Sequence, residues 1–256
     1  MDYKKLFDMT GKVCIVTGGS GYLGSANVKA LKDFGATVVN ADFKEGTEEC
    51  DLYFHFDLKE DDAFKKCFKA VYEKFGRIDV VVNCGVAYVG ATGDDRLLET
   101  MPDDVWKRGM DSVAGTIFRS TRDVVPYMKE NGGSIVNYCS MYGLVSPDFN
   151  VYGSATNQIS AAYYGPGKAA VDQITRYTAG ALAKYGIRVN SITPGPFPAA
   201  LAQSNDGFAE RLQAKTMLGR IGKNYEIAGP MLLLASDASS FMTGTNVVVD
   251  GGWTAW

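Results

Sequence analysis

Six short apolar runs, each closing on glycine or a small polar residue, alternate along the chain with stretches of helical period. They are "KVCIVTGG" (12–19), "ATVVNAD" (36–42), "IDVVVNCG" (78–85), "GGSIVNYCS" (132–140), "GIRVNSITPG" (186–195) and "TGTNVVVDGG" (243–252). Strands apolar on both faces must be covered on both, and strands separated by helices run parallel. With right-handed crossovers, the pattern predicts an α/β fold: a doubly wound parallel sheet with helices on both faces, the Rossmann arrangement. Between the runs, "YLGSANVKALKDFG" (22–35) has helical spacing and stops at Gly35. "EDDAFKKCFKAVYEKFG" (60–76) puts Phe64, Phe68, Val71, Tyr72 and Phe75 on one helical face. No linker, repeat or low-complexity segment divides the chain, so residues 1–256 read as a single domain.

Ligands of such sheets bind beyond the carboxyl ends of the strands, and there the chain carries "TGGSGYLG", "NAD", "NCG", "YCSMYG" and "TPGPFP". In the first of these, Gly18 permits a tight turn, Gly21 offers backbone without a Cβ, and Gly24 lets the next helix approach the sheet. With Ser20, Tyr22 and Leu23, this turn opens a helix whose free N–H groups can face a pyrophosphate. Asp42 ends the second run, where a carboxylate accepts both hydroxyls of an adenosine ribose and repels a 2′-phosphate. Lys44 stands close by, yet the chemistry points to NAD rather than NADP. Asp57 in "HFDL" and Asn83 in "NCG" fall where the adenine and the nicotinamide-side ribose would pass. Leu58, Gly85, Pro194, Gly195 and Phe197 complete the expected cofactor contacts.

A net charge of -3 gives no basic field for nucleic acid or anionic lipid. No apolar run reaches membrane-spanning length, and "MDYKKLFDMTGK" lacks the features of a signal peptide, so a soluble, cytoplasmic protein is expected. Five cysteines without a C-x-x-C pair suggest reduced thiols, and His55, the only histidine, reads as structural. No metal site is expected. One further stretch, "YYGPGKAAV" (163–171), sets Tyr164 four residues before Lys168. On a helix the two share a face, either as a packed Tyr beside a snorkelling Lys or as a phenol tuned by a cation for proton exchange.

Taken in order, Gly18–Gly24, Asp57-Leu58, Asn83–Gly85, Ser140, Tyr164-x-x-x-Lys168, "GIRVNSITPG" and "MTGTNVVVDGGW" resemble the short-chain dehydrogenase/reductase family over essentially the whole length. The resemblance implies hydride transfer between a nicotinamide and a secondary alcohol or ketone. It makes Tyr164 the general acid/base, Ser140 its partner at the substrate oxygen, and Lys168 the cation that favours phenolate and holds the nicotinamide ribose. Physical chemistry agrees, since a free phenol of pKa about 10 is a sluggish base near neutrality and a neighbouring ammonium makes it a better one. Tyr163, which does not align with Lys168, then reads as a packing or pocket-lining residue.

Three features depart from the family pattern. Tyr22 stands where the short branch often has glycine. Ser112 stands where members carry the asparagine of a proton-relay tetrad, whose backbone carbonyl is thought to hold a water. Between Ser140 and Tyr164, the polar stretch "SPDFNVYGSATNQISAA" (146–162) is longer than usual and is expected to overhang the catalytic rim and choose the substrate. Asn150, Asn157, Gln158, Asp94, Asp95, Arg96 and Gln203 suggest a small polar substrate, a sugar, sugar acid or polyol. The alternatives are a 3-oxoacyl-thioester reductase, a non-catalytic dinucleotide sensor and a nucleotide-sugar epimerase. The resemblance also implies a homo-oligomer, tetramer or dimer, pairing through helices near 103–130 and 163–185, with Trp253 and Trp256 buried across a second interface.

Overall fold

The computed structural model describes residues 2–87, 89, 93–153, 159–199 and 207–256. Its strands are β1 (Val13–Thr17), β2 (Thr37–Asp42), β3 (Leu52–His55), β4 (Val80–Asn83), β5 (Gly133–Tyr138), β6 (Ile187–Pro194) and β7 (Asn246–Val249). All pair in parallel, in the order β3-β2-β1-β4-β5-β6-β7. The order reverses between β1 and β4, so the chain leaves these neighbours in opposite directions and opens a crevice at their carboxyl ends. This is the doubly wound sheet that the apolar runs predict. The sequence pattern missed β3, an edge strand whose side chains are only partly covered and so lack a continuous apolar signature.

The helices are α1 (Tyr22–Asp33), α2 (Ala63–Phe75), α3 (Asp103–Met110), α4 (Thr116–Met128), α5 (Tyr164–Leu182), α6 (Phe208–Ala214) and α7 (Ala228–Ala235). Alternate strand residues point to opposite faces, and two cores follow. Val13 and Ile15 pack with Phe64, Phe68 and Val71 of α2 and with α4 and α5. Cys14 and Val16 pack with Val28 and Leu31 of α1 and with α7.

One polar ladder crosses the first core. Ser120 Oγ of α4 donates to Asn83 Oδ1 (2.7 Å), Asn83 Nδ2 to Asn137 Oδ1 (2.9 Å), and Asn137 Nδ2 to Thr175 Oγ1 of α5 (2.9 Å). Asn83 and Asn137 are register partners on β4 and β5. Between α3 and α4, residues Asp111–Gly115 form a π turn, in which the Thr116 N–H reaches the Asp111 carbonyl five residues back.

The stretch after Ser140 differs from expectation. Asp148 caps a 3₁₀ turn at Phe149–Tyr152, and Val151 and Tyr152 are buried with Met141, Leu212 of α6 and Trp253. Tyr152 stacks on Phe208, Arg211 Nε donates to the Val151 carbonyl, and Lys215 pairs with Asp148. Arg96 reaches the far end of the insertion, donating through Nε and Nη2 to the Ile159 carbonyl. Val151 and Tyr152 are therefore part of a small third core, while Phe149, Asn150 and Gly153 remain exposed. Trp253 belongs to that core within the chain and needs no interface to cover it, whereas Trp256 is exposed and donates its indole N–H to the Lys215 carbonyl. Asn157, Gln158 and Gln203 lie outside the described residues.

Candidate active site

The turn after β1 can close only with glycine. Gly18 has φ +68°, and a Cβ there would lie 2.6 Å from the Gly85 Cα. A Cβ on Gly24 would collide with the Gly18 carbonyl as α1 folds back against the turn. Gly21 caps α1 without a side-chain hydrogen bond, which leaves the first-turn N–H groups to a ligand. These residues border a cavity of about 480 Å³. A cradle that any Cβ would fill, at an uncapped helix start, fits the pyrophosphate of a dinucleotide.

At the end of β2, the Asp42 carboxylate accepts the Ser20 N–H (3.0 Å) and the Lys44 N–H (3.0 Å), so it is fixed against the glycine turn with acceptor capacity left over. The Ser20 hydroxyl also donates to the Lys44 carbonyl, tying the following loop down. Asp42 borders both the first cavity and a neighbouring one of about 520 Å³. Asp57 and Leu58 line the second, with Gly18 and Gly85 shared between the two. The residues that would hold an adenosine thus surround one space, as the sequence suggests.

Three further groups meet at the other end of the first cavity. Ser140 follows β5 in extended backbone, and its Oγ accepts the Tyr142 N–H (3.2 Å). Tyr164 opens α5, and Lys168 lies one turn on, buried, with Nζ donating to the Tyr138 carbonyl (2.6 Å) and standing 5.9 Å from the Tyr164 ring centroid. Pro194, Gly195 and Phe197 form the wall beyond β6. Two thiols also line the space, and burial pushes Cys84 up to about 12 and Cys139 to about 11, so both stay neutral near pH 7.

A family model described as "Enoyl-(Acyl carrier protein) reductase" matches residues 21–254. The chain is 34% identical to a 3-oxoacyl-[acyl-carrier-protein] reductase of Thermotoga maritima, with 95% of this chain and 98% of the relative covered. It is also 34% identical to a meso-2,3-butanediol dehydrogenase of Serratia marcescens, with 95% of each covered. A short-chain dehydrogenase of Leptospira borgpetersenii solved with bound NAD+ superposes with a TM-score of 0.85 at 27% identity, over 99% of this chain and 96% of the other. The chain belongs to the short-chain dehydrogenase/reductase family. It is an oxidoreductase acting on CH–OH groups, on a fold that binds nicotinamide dinucleotides.

In this dehydrogenase/reductase, two of the expected site residues sit elsewhere. The Asn83 carboxamide turns inward, with both its oxygen and its nitrogen bonded in the polar ladder, and it borders neither cavity described above. Ser112 lies in the π turn, with Oγ on the Gly109 carbonyl (2.8 Å) and its own carbonyl accepting the Thr116 hydroxyl (2.8 Å). It lines a separate cavity with Leu58, Arg108 and Arg119 rather than the one holding Tyr164. Tyr163 packs its ring face against Gly109 of α3, where a Cβ would overlap it. Sequence reasoning missed Tyr138, which lines the cavity and anchors Lys168 through its carbonyl. Strand parity with Ser140, two residues on, could have revealed the lining role, but a carbonyl partner leaves no mark in a side-chain pattern.

Proposed function

We propose that the chain is an NAD-dependent dehydrogenase oxidising a secondary alcohol of a sugar, sugar acid or other polyol. One domain holds both the cofactor and the catalytic groups, and the working form is a homo-oligomer. The observation that carries this reading is the single cavity in which the glycine turn meets Ser140, Tyr164 and Lys168. A bound nicotinamide supplies the two-electron acceptor. The Tyr164 oxygen takes the proton of the substrate hydroxyl as its carbon is oxidised. Ser140, whose Oγ already accepts the Tyr142 N–H, has its own proton free to donate to the developing carbonyl oxygen. Lys168, positioned by Tyr138, puts a buried cation beside the phenol and favours the charge left when it gives up a proton.

The cofactor preference rests on Asp42, since a 2′-phosphate brought to a fixed carboxylate meets like charge. Similarity to a butanediol dehydrogenase supports an alcohol bearing more than one hydroxyl. The Thermotoga relative favours a second reading, reduction of a 3-oxoacyl thioester, in which NADPH would need a cationic seat where Asp42 stands. Fluorescence titration with both cofactors, followed by turnover on a panel of polyols and sugar acids, tests the assignment. At least tenfold preference for NAD and reduction of NAD by a polyol are expected. Equal affinity for the two cofactors refutes the role given to Asp42.

A further inference from the structure

Beneath the glycine turn, one buried amide has no part in the scheme above. Asn40 lies on β2, two residues before Asp42, and is 1% exposed. Its Oδ1 has no hydrogen-bond partner among the described residues, and a Cβ on Gly19 would overlap that oxygen. An apolar side chain would fill the position without stranding a polar atom, so what the amide contributes must come from its nitrogen. Asn40 Nδ2 donates to Ser20 Oγ (3.1 Å), and Ser20 Oγ donates to the Lys44 carbonyl (2.5 Å). The direction is fixed, because a carbonyl only accepts and the one Ser20 hydroxyl proton is committed to it. The group facing Ser20 Oγ must then be the amide nitrogen. The loop after β2 folds back over this pair, where a Cβ on Gly46 would come within 2.8 Å of Ser20 Oγ and 3.2 Å of Asn40 Nδ2.

The Ser20 hydroxyl completes a clamp on one residue. Lys44 is held through its carbonyl by Ser20 and through its N–H by Asp42 Oδ1, while Asp42 Oδ2 takes the Ser20 N–H. Asp42 and Lys44 both line the cavity of about 520 Å³, so a carboxylate and an ammonium stand at the same end of it. The carboxylate suits a ribose with free hydroxyls, and the ammonium suits a 2′-phosphate. Lys44 is exposed and forms no ion pair among the described residues, which leaves its charge free to turn to an anion. We propose that Asn40 is a positioning residue for cofactor choice. It aims the Ser20 hydroxyl at the Lys44 carbonyl, and the clamped loop presents Asp42 rather than Lys44 to the adenosine 2′ position. Without the amide, Ser20 Oγ is free to turn away, Asp42 alone holds the loop, and a 2′-phosphate draws the Lys44 ammonium to itself. This role rests on the assignment of Asp42 to the adenosine ribose.

The test titrates the full chain with NADH and with NADPH by fluorescence and reads the ratio of the two Kd values, which a general loosening of the fold leaves unchanged. Wild type should favour NADH at least tenfold. Asn40→Ala should lower that preference at least fivefold through tighter NADPH binding, and Asn40→Ala/Lys44→Ala should return NADPH to its wild-type affinity. Ser20→Ala breaks the same link at a half-buried position and should lower the preference by a similar factor. The ratio of Asn40→Ala/Ser20→Ala should lie within twofold of that of Ser20→Ala, since the two groups act in series. Should Asn40→Ala fail to fold, the Ser20→Ala ratio decides. Variant ratios within twofold of wild type, or a fall that Lys44→Ala does not reverse, overturn the proposal while leaving Asp42 its role. A wild type that binds both cofactors alike refutes the role of Asp42, and that of Asn40 with it.

Discussion

Replacing Asn83 by leucine separates two roles that the position could have. The substitution nearly conserves volume, so little cavity is created, but it removes both partners that the carboxamide supplies. Ser120 Oγ loses its acceptor and Asn137 Oδ1 loses its donor, and both residues are fully buried. Each buried group left unpaired costs about 1–3 kcal/mol, so the pair costs about 2–6 kcal/mol. Ser120 can recover part of this by turning to the carbonyl one helical turn back, which puts the expected loss near 3 kcal/mol. Against a total stability of about 5–15 kcal/mol, that is a large but survivable fraction.

Urea denaturation followed by circular dichroism reads the loss as a fall in midpoint at constant slope. NAD affinity of the folded variant should stay within threefold of wild type, because the side chain borders neither cavity. Removing the stranded donor as well, in Asn83→Leu/Ser120→Ala, should restore about 1 kcal/mol, a coupling that a double-mutant cycle isolates. A loss below about 1 kcal/mol together with tenfold weaker NAD binding would falsify the inward placement and return Asn83 to the cofactor.

Three other outcomes are expected. Tyr164→Phe should abolish turnover with NAD affinity nearly intact, Lys168→Ala should damage both, and Tyr163→Phe, which keeps the ring on Gly109, should retain most activity; steady-state kinetics and cofactor titration separate them. Trp253→Ala should cost about 3–5 kcal/mol, since the side chain is buried in the third core, and a melting temperature unchanged by the mutation would contradict that packing. Arg220, then the Lys223 N–H, holds the Glu226 carboxyl down to about 2, so its stabilising contribution is complete above the unfolded value of about 4.3 and disappears as pH falls through 2. Because Arg220 is half exposed, the contribution is about 1 kcal/mol, and Glu226→Gln should flatten the acid limb of the stability curve measured by thermal melts.

The sheet was readable because central parallel strands are apolar on both faces, which no loop imitates. The glycine turn was readable because steric closure leaves Gly18 and Gly24 no substitute. What escaped has physical causes. The edge position of β3 gives it only half a pattern. The insertion hides Val151 and Tyr152 among polar neighbours, and composition does not say which of its side chains turn inward. An asparagine ending a strand looks the same whether its amide faces a ligand or, like Asn83, a serine and a second asparagine in the interior. The carbonyl that holds Lys168 belongs to the backbone and could be placed only by the fold.

The π turn at Asp111–Gly115 has a consequence for length variation. It accommodates one residue more than an uninterrupted α-helix would between the buried Val105 and Gly109 on one side and Ile117, Ser120 and Val124 on the other. Deleting a single residue there would restore regular helical hydrogen bonding and would look harmless in a helix forecast. It would leave Ser120 on the polar ladder and Val124 in the core, whereas straightening the turn with every residue kept would rotate α4 by about 100° relative to α3 and carry both away. Whereas surface loops absorb gaps freely, this segment in mid-helix can lose only the one residue of the π turn without exchanging one buried face for another.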